Sequence, residues 1–220
     1  MARLVCLSGT GATGKTSVIN EVLRIAPGRF TFMPSIVRGF YAANGIKNEV
    51  AFANETDPAK KFDFQGRLFQ FYVSEVTRQL SECMTPWLIV DRAAFDHAAY
   101  SLHGAGSALT KEMFFQIQHG LEPFLALDPL VLLMPFPVMW NEAASDDGFR
   151  HRDFQKDLAV DAYIRKLATC EHELGTVIDA FGTNDSVSTR AATVLRYVDI
   201  AETRRITTHD VMVNGAEAHA

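Results

Sequence analysis

The sequence is poor in cysteine: Cys6, Cys83 and Cys170 are the only three in 220 residues, far apart and without metal-ligand spacing. That excludes a disulfide scaffold and a thiolate zinc site, and the expectation is reduced thiols in a cytoplasmic protein. No apolar run approaches the ~18 residues that cross a bilayer, so no membrane partner is expected. The N-terminus has one basic residue, Arg3, and then only Leu4-Val5-Cys6-Leu7 before glycines begin. Such a stretch is too short for a signal peptide. Positive charge is not in excess either, with 21 Lys and Arg against 26 Asp and Glu and a net charge of −5. A global basic field for non-specific nucleic-acid binding is thereby excluded, although a local basic groove is not. Internal repeats are missing too. What remains is an ordinary globular composition, 48% apolar and 21% charged, of a length that suits one domain with a buried core.

Short apolar runs alternate with helical periodicity along the chain. Leu4–Ser8, Phe30–Met33, Trp87–Val90, Leu130–Met134 and Thr176–Phe181 read as strands. Helices are expected over Thr16–Ile25, Ser35–Ala43, Phe62–Met84, Phe95–Tyr100, Lys111–His119, Phe154–Cys170 and Ser186–Tyr197, the last capped by Ser186 or Asp185. On the third of these, Phe62, Phe69, Val73, Val76, Leu80 and Met84 recur at core-facing spacings. Alternation of this kind predicts an α/β three-layer sandwich around a five-stranded, mainly parallel sheet. In such sheets ligands bind beyond the carboxyl ends of the strands. The notable polar clusters all follow strand ends: 9–16, Asp91-Arg92, and the segment after Met134.

Gly9-Thr10-Gly11-Ala12-Thr13-Gly14-Lys15-Thr16 fits the Walker A pattern, G-x-x-x-x-G-K-[ST]. The glycines let successive backbone N–H groups turn in around phosphate oxygens, and the following helix presents its positive end to the same anion, so residues 9–16 and Ser17 are the expected ATP contacts. Lys15 is expected to reach the β- and γ-phosphates of ATP, and Thr16 to hold Mg²⁺ through its hydroxyl. Asp91 ends a buried strand as a second Mg²⁺ ligand, or accepts the proton of an attacking hydroxyl. Arg92 is placed to hold phosphate. Asp96 either pairs with Arg92 one turn away or faces the substrate.

The loop together with Asp91-Arg92, Asp96 and Tyr100 (D-R-x-x-x-D-x-x-x-Y) resembles the P-loop nucleoside and nucleotide kinases. It is similar to the branch of nicotinamide riboside kinase domains and related phage kinases. Ser35-Ile36-Val37-Arg38 resembles that branch's Ser-Glu-x-x-Arg motif, and Asp146-Asp147-Gly148-Phe149-Arg150 its Asp-Gly-x-Arg lid sequence. The resemblance implies one kinase domain over 1–213 with a lid at about 141–152, and the small, polar residues 214–220 are expected to form a disordered tail. It also implies that Arg150, with Arg152 beside it, closes over the transferring phosphoryl group. Ile36 departs from the pattern, because relatives often carry an acid there near the acceptor hydroxyl. Asp91 and then Asp96 are the replacements considered for the base.

Phe64 and Phe71, which share one face of a helix crowded with aromatics, are candidates to stack an acceptor base, with Gln65 or Gln70 reading its edge. Arg38 and Arg67 are candidate acceptor-side cations. Three readings of the reaction stay open. One is γ-phosphoryl transfer from ATP to a hydroxyl of a nucleoside or nucleotide. Another is transfer to a 5-hydroxymethyl pyrimidine within DNA, with Arg38, Lys47, Lys60, Lys61 and Arg67 as a basic groove. The third is a regulatory P-loop ATPase; the Asn-Lys-x-Asp base-reading motif of a GTPase is missing.

Overall fold

The computed structural model describes residues 2–47, 55–136, 153–170 and 176–217, with positions 170, 176 and 204 onward by their backbone alone. Five parallel strands, β1 (Arg3–Ser8), β2 (Phe30–Met33), β3 (Trp87–Asp91), β4 (Leu130–Leu133) and β5 (Thr176–Ile178), form one sheet in the order β2-β3-β1-β4-β5. The register brings Leu7 opposite Asp91 on one side of β1 and Ser8 opposite Leu133 on the other. The carboxyl ends of the three central strands therefore meet where the chain reverses its direction of progress across the sheet, the position at which such folds bind ligands.

Strand side chains alternate between two cores, as the twofold repeat of a strand requires. Leu4 and Cys6 of β1 point into a cluster with Phe69, Tyr72, Phe95 and Leu121. Val5 and Leu7 point into the opposite one with Val18, Val22, Val194 and Val198. The first cluster is closed by α3 (Pro58–Glu82), α4 (Ala94–Ala105), α5 (Lys111–Leu125) and α6 (Phe154–Cys170). The second is closed by α1 (Lys15–Ile25) and α7 (Val187–Glu217), while α2 (Val37–Ala43) packs on α3 through Tyr41, Phe64 and Leu68. No described helix is long and apolar enough to cross a membrane. Cys6 and Cys83 are free thiols.

The expected three-layer α/β architecture is present, with differences at element ends. The helix α3 starts four residues earlier than its apolar stripe suggests, because Asp57 caps it by accepting the Ala59 N–H at 2.9 Å and Pro58 takes its first turn. Its buried face is Phe64, Gln65, Leu68, Phe69, Tyr72, Val76 and Leu80. Met84, expected in the core, lies beyond the helix end and is 96% exposed. The helix α5 runs through Gly120 and past Pro123 to Leu125. Ser186 caps α7 by accepting the Thr189 N–H at 3.1 Å. That helix continues past Tyr197 to Glu217, so residues 214–217 of the expected disordered tail are helical, and 218–220 lie outside the described residues.

Candidate active site

Between β1 and α1 the chain makes the turn that the Gly9–Thr16 pattern requires. Gly9 sits at φ 147, and a Cβ there would meet the Met134 Cβ at 3.1 Å, so the position is closed to other residues on both counts. Gly14, at φ 86, precedes the first residue of α1. A cavity of about 310 Å³ opens here, lined by Gly11 to Ser17, Ser35, Asp91 and Arg92. The N-terminus of α1 faces it, so backbone N–H groups and the helix dipole both favour an anion in this space.

Lys15 is 6% exposed. Its Nζ donates to the carbonyl oxygens of Gly9 at 2.7 Å and Thr10 at 2.6 Å and to Thr13 Oγ1 at 3.2 Å. The ammonium thus lies across the loop that its neighbours form. Thr16 Oγ1 donates to Asp91 Oδ2 at 2.5 Å, joining the first turn of α1 to the end of β3. A hydroxyl and a carboxylate in contact are hard oxygen donors, the set that fits Mg²⁺ when phosphate and water oxygens complete its shell. Among the described residues no group of three His, Cys, Asp or Glu side chains forms a metal cage. Arg92, 7% exposed, lies with its guanidinium carbon 5.4 Å from the Tyr100 ring centroid, a cation–π contact.

Asp96 is not among the residues that line the cavity. It is fully buried under the loop, where its carboxylate accepts from Ser8 Oγ at 2.8 Å, Gly9 N at 2.8 Å and Ala93 N at 2.7 Å. Arg92 Nη1 is 3.9 Å away. Burial pushes its pKa up, against the opposing pull of Lys15, Arg92 and the donated N–H groups. A base needs access to the acceptor proton, so Asp96 is corrected from candidate base and substrate contact to a support for the loop.

Phe64 is also corrected. It is 4% exposed, edge-on to Tyr41 at 5.0 Å and to Phe40 at 5.4 Å, because the face of α3 that carries it is covered by α2. Gln65 is buried and donates to the Tyr41 hydroxyl at 3.3 Å, so it is not presented to a base. The exposed aromatic beside them is Phe71, 43% accessible and 5.4 Å from Phe40. Arg67 lies over the Phe64 ring and is paired with Asp63 at 3.1 Å and Asn44 Oδ1 at 3.0 Å. Arg38 is exposed on α2, outside the cavity lining. The lid at 141–152, with Arg150 and Arg152, lies outside the described residues.

Two contributors lie outside the expected site residues: Ser35, which opens the Ser35–Arg38 motif, and Arg190, which belongs to none. Ser35 lines the cavity from the end of β2. Arg190 of α7 donates to Thr13 O at 3.2 Å and, through Nη2, to Gly182 O at 3.4 Å and Thr183 O at 3.1 Å, tying the phosphate loop to the turn after β5. Only the expectation of a helix after the fifth strand pointed near it.

Residues 4–183 match a protein-family model described as an AAA domain. No curated protein matches by sequence. Among solved structures, NadR protein in complex with NAD and AMP-PNP aligns at TM-score 0.60 and 17% identity, over 89% of this chain and 49% of that one. NadR protein in complex with NR aligns at 0.62 and 20%, over 89% and 51%. Thymidylate kinase from Candida albicans aligns at 0.64 and 12%, over 91% and 92%. The chain therefore spans about half the length of the NadR chains and nearly all of the thymidylate kinase. The fold is that of P-loop kinases.

Proposed function

The chain belongs to the AAA domain family matched over residues 4–183, and on that premise we propose that it is an ATP-dependent phosphotransferase. In this reading it moves the γ-phosphoryl group to a hydroxyl of a nucleoside- or nucleotide-type acceptor. One observation carries the proposal: Thr16 Oγ1 and Asp91 Oδ2 meet at 2.5 Å on the wall of a cavity that Lys15 and Arg92 also line. The set combines metal ligands with two cations in one phosphate-sized space, which suits phosphoryl transfer. The NadR complexes with NR and NAD, and the thymidylate kinase, support the acceptor class.

The chain's own groups divide the work. The N–H groups of the Gly11–Thr16 turn receive the β- and γ-phosphate oxygens. Lys15 exchanges two neutral carbonyl partners for charged phosphate oxygens, a stronger contact. Thr16 and Asp91 are the residues that would hold Mg²⁺, which would supply positive charge against that of the phosphates. Arg92, on the same wall, stabilises charge spreading over the transferring group, and that contact counts most in the transition state.

Radiolabelled ATP offered with nucleosides, nucleoside monophosphates and hydroxymethyluracil-containing DNA tests the reading. Label in a small molecule is the expected result. Label in DNA would replace the acceptor class, and free phosphate alone would make the protein a regulatory ATPase. Arg67 paired with Asp63, and Lys60 within 4.0 Å of Glu55, leave the supposed basic groove partly neutralised. Lys15→Ala should abolish turnover in every arm while leaving the fold intact.

A further inference from the structure

The Arg92 backbone sits at φ 105, a region that strains any residue with a side chain. The strain has a geometric result. The strand β3 ends at Asp91, and both Asp91 and the next residue, Arg92, line the cavity beyond the strand end. The positive φ turns the chain as it leaves β3, and the Arg92 guanidinium then lies 3.9 Å from Asp96 Oδ1 through Nη1 and, by its central carbon, 5.4 Å from the Tyr100 ring centroid.

Two contacts hold that turn. The Arg92 N–H donates to the Leu7 carbonyl at 3.0 Å, which fixes its start to β1. Its carbonyl accepts the Tyr72 hydroxyl at 2.7 Å. Tyr72 comes from a different element, α3, and is 2% exposed, with its ring 4.5 Å from that of His97 and 6.4 Å from that of Phe124. Packing on both sides fixes the direction of the hydroxyl. Burial pushes the phenol pKa well up, so it remains a donor. The contact is long-range and buried, and the cavity residues themselves do not require it.

We propose that Tyr72 is a positioning residue whose hydroxyl locks the strained Arg92 peptide and so keeps the guanidinium over the Tyr100 ring at the wall of the phosphate cavity. The assignment rests on the phosphotransfer reading, since Arg92 matters there through the reaction.

Tyr72→Phe keeps the packed ring and deletes the donor. Turnover, read as label transferred or phosphate released from ATP, should fall about fivefold to tenfold. The dissociation constant of a fluorescent ATP analogue with Mg²⁺ should stay within about twofold of the parent value. In the Arg92→Ala background, Tyr72→Phe should add no further loss, because both changes act through one guanidinium. Wild-type turnover per folded molecule in Tyr72→Phe, or losses that multiply in the double variant, would overturn the proposal. The Arg92 Nε–Hε NMR resonance gives a readout independent of activity. It should shift in Tyr72→Phe, and an unchanged resonance overturns the assignment. A parent protein without turnover would sink the phosphotransfer reading by itself, and the resonance would still decide the role of Tyr72.

Discussion

The carboxylate of Asp96 accepts the backbone N–H of Gly9 at 2.8 Å, reaching from α4 to the first residue of the phosphate loop. The same carboxylate takes Ser8 Oγ and Ala93 N. Every neighbour aimed at it is a donor, so an acceptor-only group is required. Asp96→Asn is nearly isosteric, yet it turns an NH₂ toward one of these donors. The expected cost is about 2–4 kcal/mol of stability, from a lost charge and an unsatisfied buried donor. Chemical denaturation measures it, and affinity for an ATP analogue should drop in parallel. A change within about 0.5 kcal/mol, typical of surface sites, would mean the carboxylate does not organise the loop.

His97, next along α4, is 2% exposed, and its Nε2 has no hydrogen-bond partner among the described residues. Burial, and then the nearby Arg92 charge, hold its pKa well below the ordinary value of 6.5. The unfolded chain therefore binds a proton that the folded one refuses. Stability from this group is fully present above pH ~6.5 and is lost as pH falls from there toward the folded pKa. Asp96 has the opposite sign: its raised pKa makes acidification relieve, not add, strain once that range is reached. Thermal midpoints at pH 7.5 and 5.5 should thus fall on acidification in the parent. In His97→Phe, which keeps a ring against Tyr72, the fall should be smaller. Equal slopes in the two proteins would remove His97 as the cause.

What was legible in the sequence follows from range. The phosphate loop is a contiguous pattern whose residue types are dictated by one ligand, and its lysine and threonine stand where the pattern places them. The buried strands read as apolar runs because both of their faces are covered. Asp96 looked like a substrate group because its partners, Ser8 and Gly9, are 88 and 87 positions away. Phe64 looked available because nothing in its own helix says that α2 covers that face. Met84 shared the apolar spacing of α3 but fell past its end, where the chain turns to enter β3. Arg190 and Tyr72 bond to main-chain carbonyls of remote loops, contacts that need no particular partner side chain and so leave no motif.

Arg190 should affect donor binding more than chemistry. Its guanidinium donates to Thr13 O in the phosphate loop and to Gly182 O and Thr183 O after β5. All three are neutral acceptors that hold two loops together next to the cavity. Arg190→Ala removes these contacts and should raise the dissociation constant of an ATP analogue about threefold to tenfold, at about 0.5–1.5 kcal/mol for the set. Saturated turnover should change much less. A variant with parental affinity and depressed turnover would instead place Arg190 among the groups acting on the transferring phosphoryl.

Gly120 tests the packing beneath the site. A Cβ there would lie 2.5 Å from Phe69 Cε1 and 3.3 Å from Cζ. Phe69 is 2% exposed within the cluster that also holds Tyr72 and Phe95, so its ring has little room to retreat. Gly120→Ala should gain up to about 1 kcal/mol of helix propensity and lose about 1–3 kcal/mol to overpacking, a net destabilisation. Phe69→Leu alone should also destabilise, by leaving a space. Combined, the two changes relieve each other: the smaller side chain at 69 admits the new methyl group. The double variant should therefore be more stable than the sum of the singles by about 1 kcal/mol, measured from urea midpoints. Strict additivity would show that α5 does not approach α3 as closely as the geometry states, and the wall that holds Tyr72 in place would need another origin.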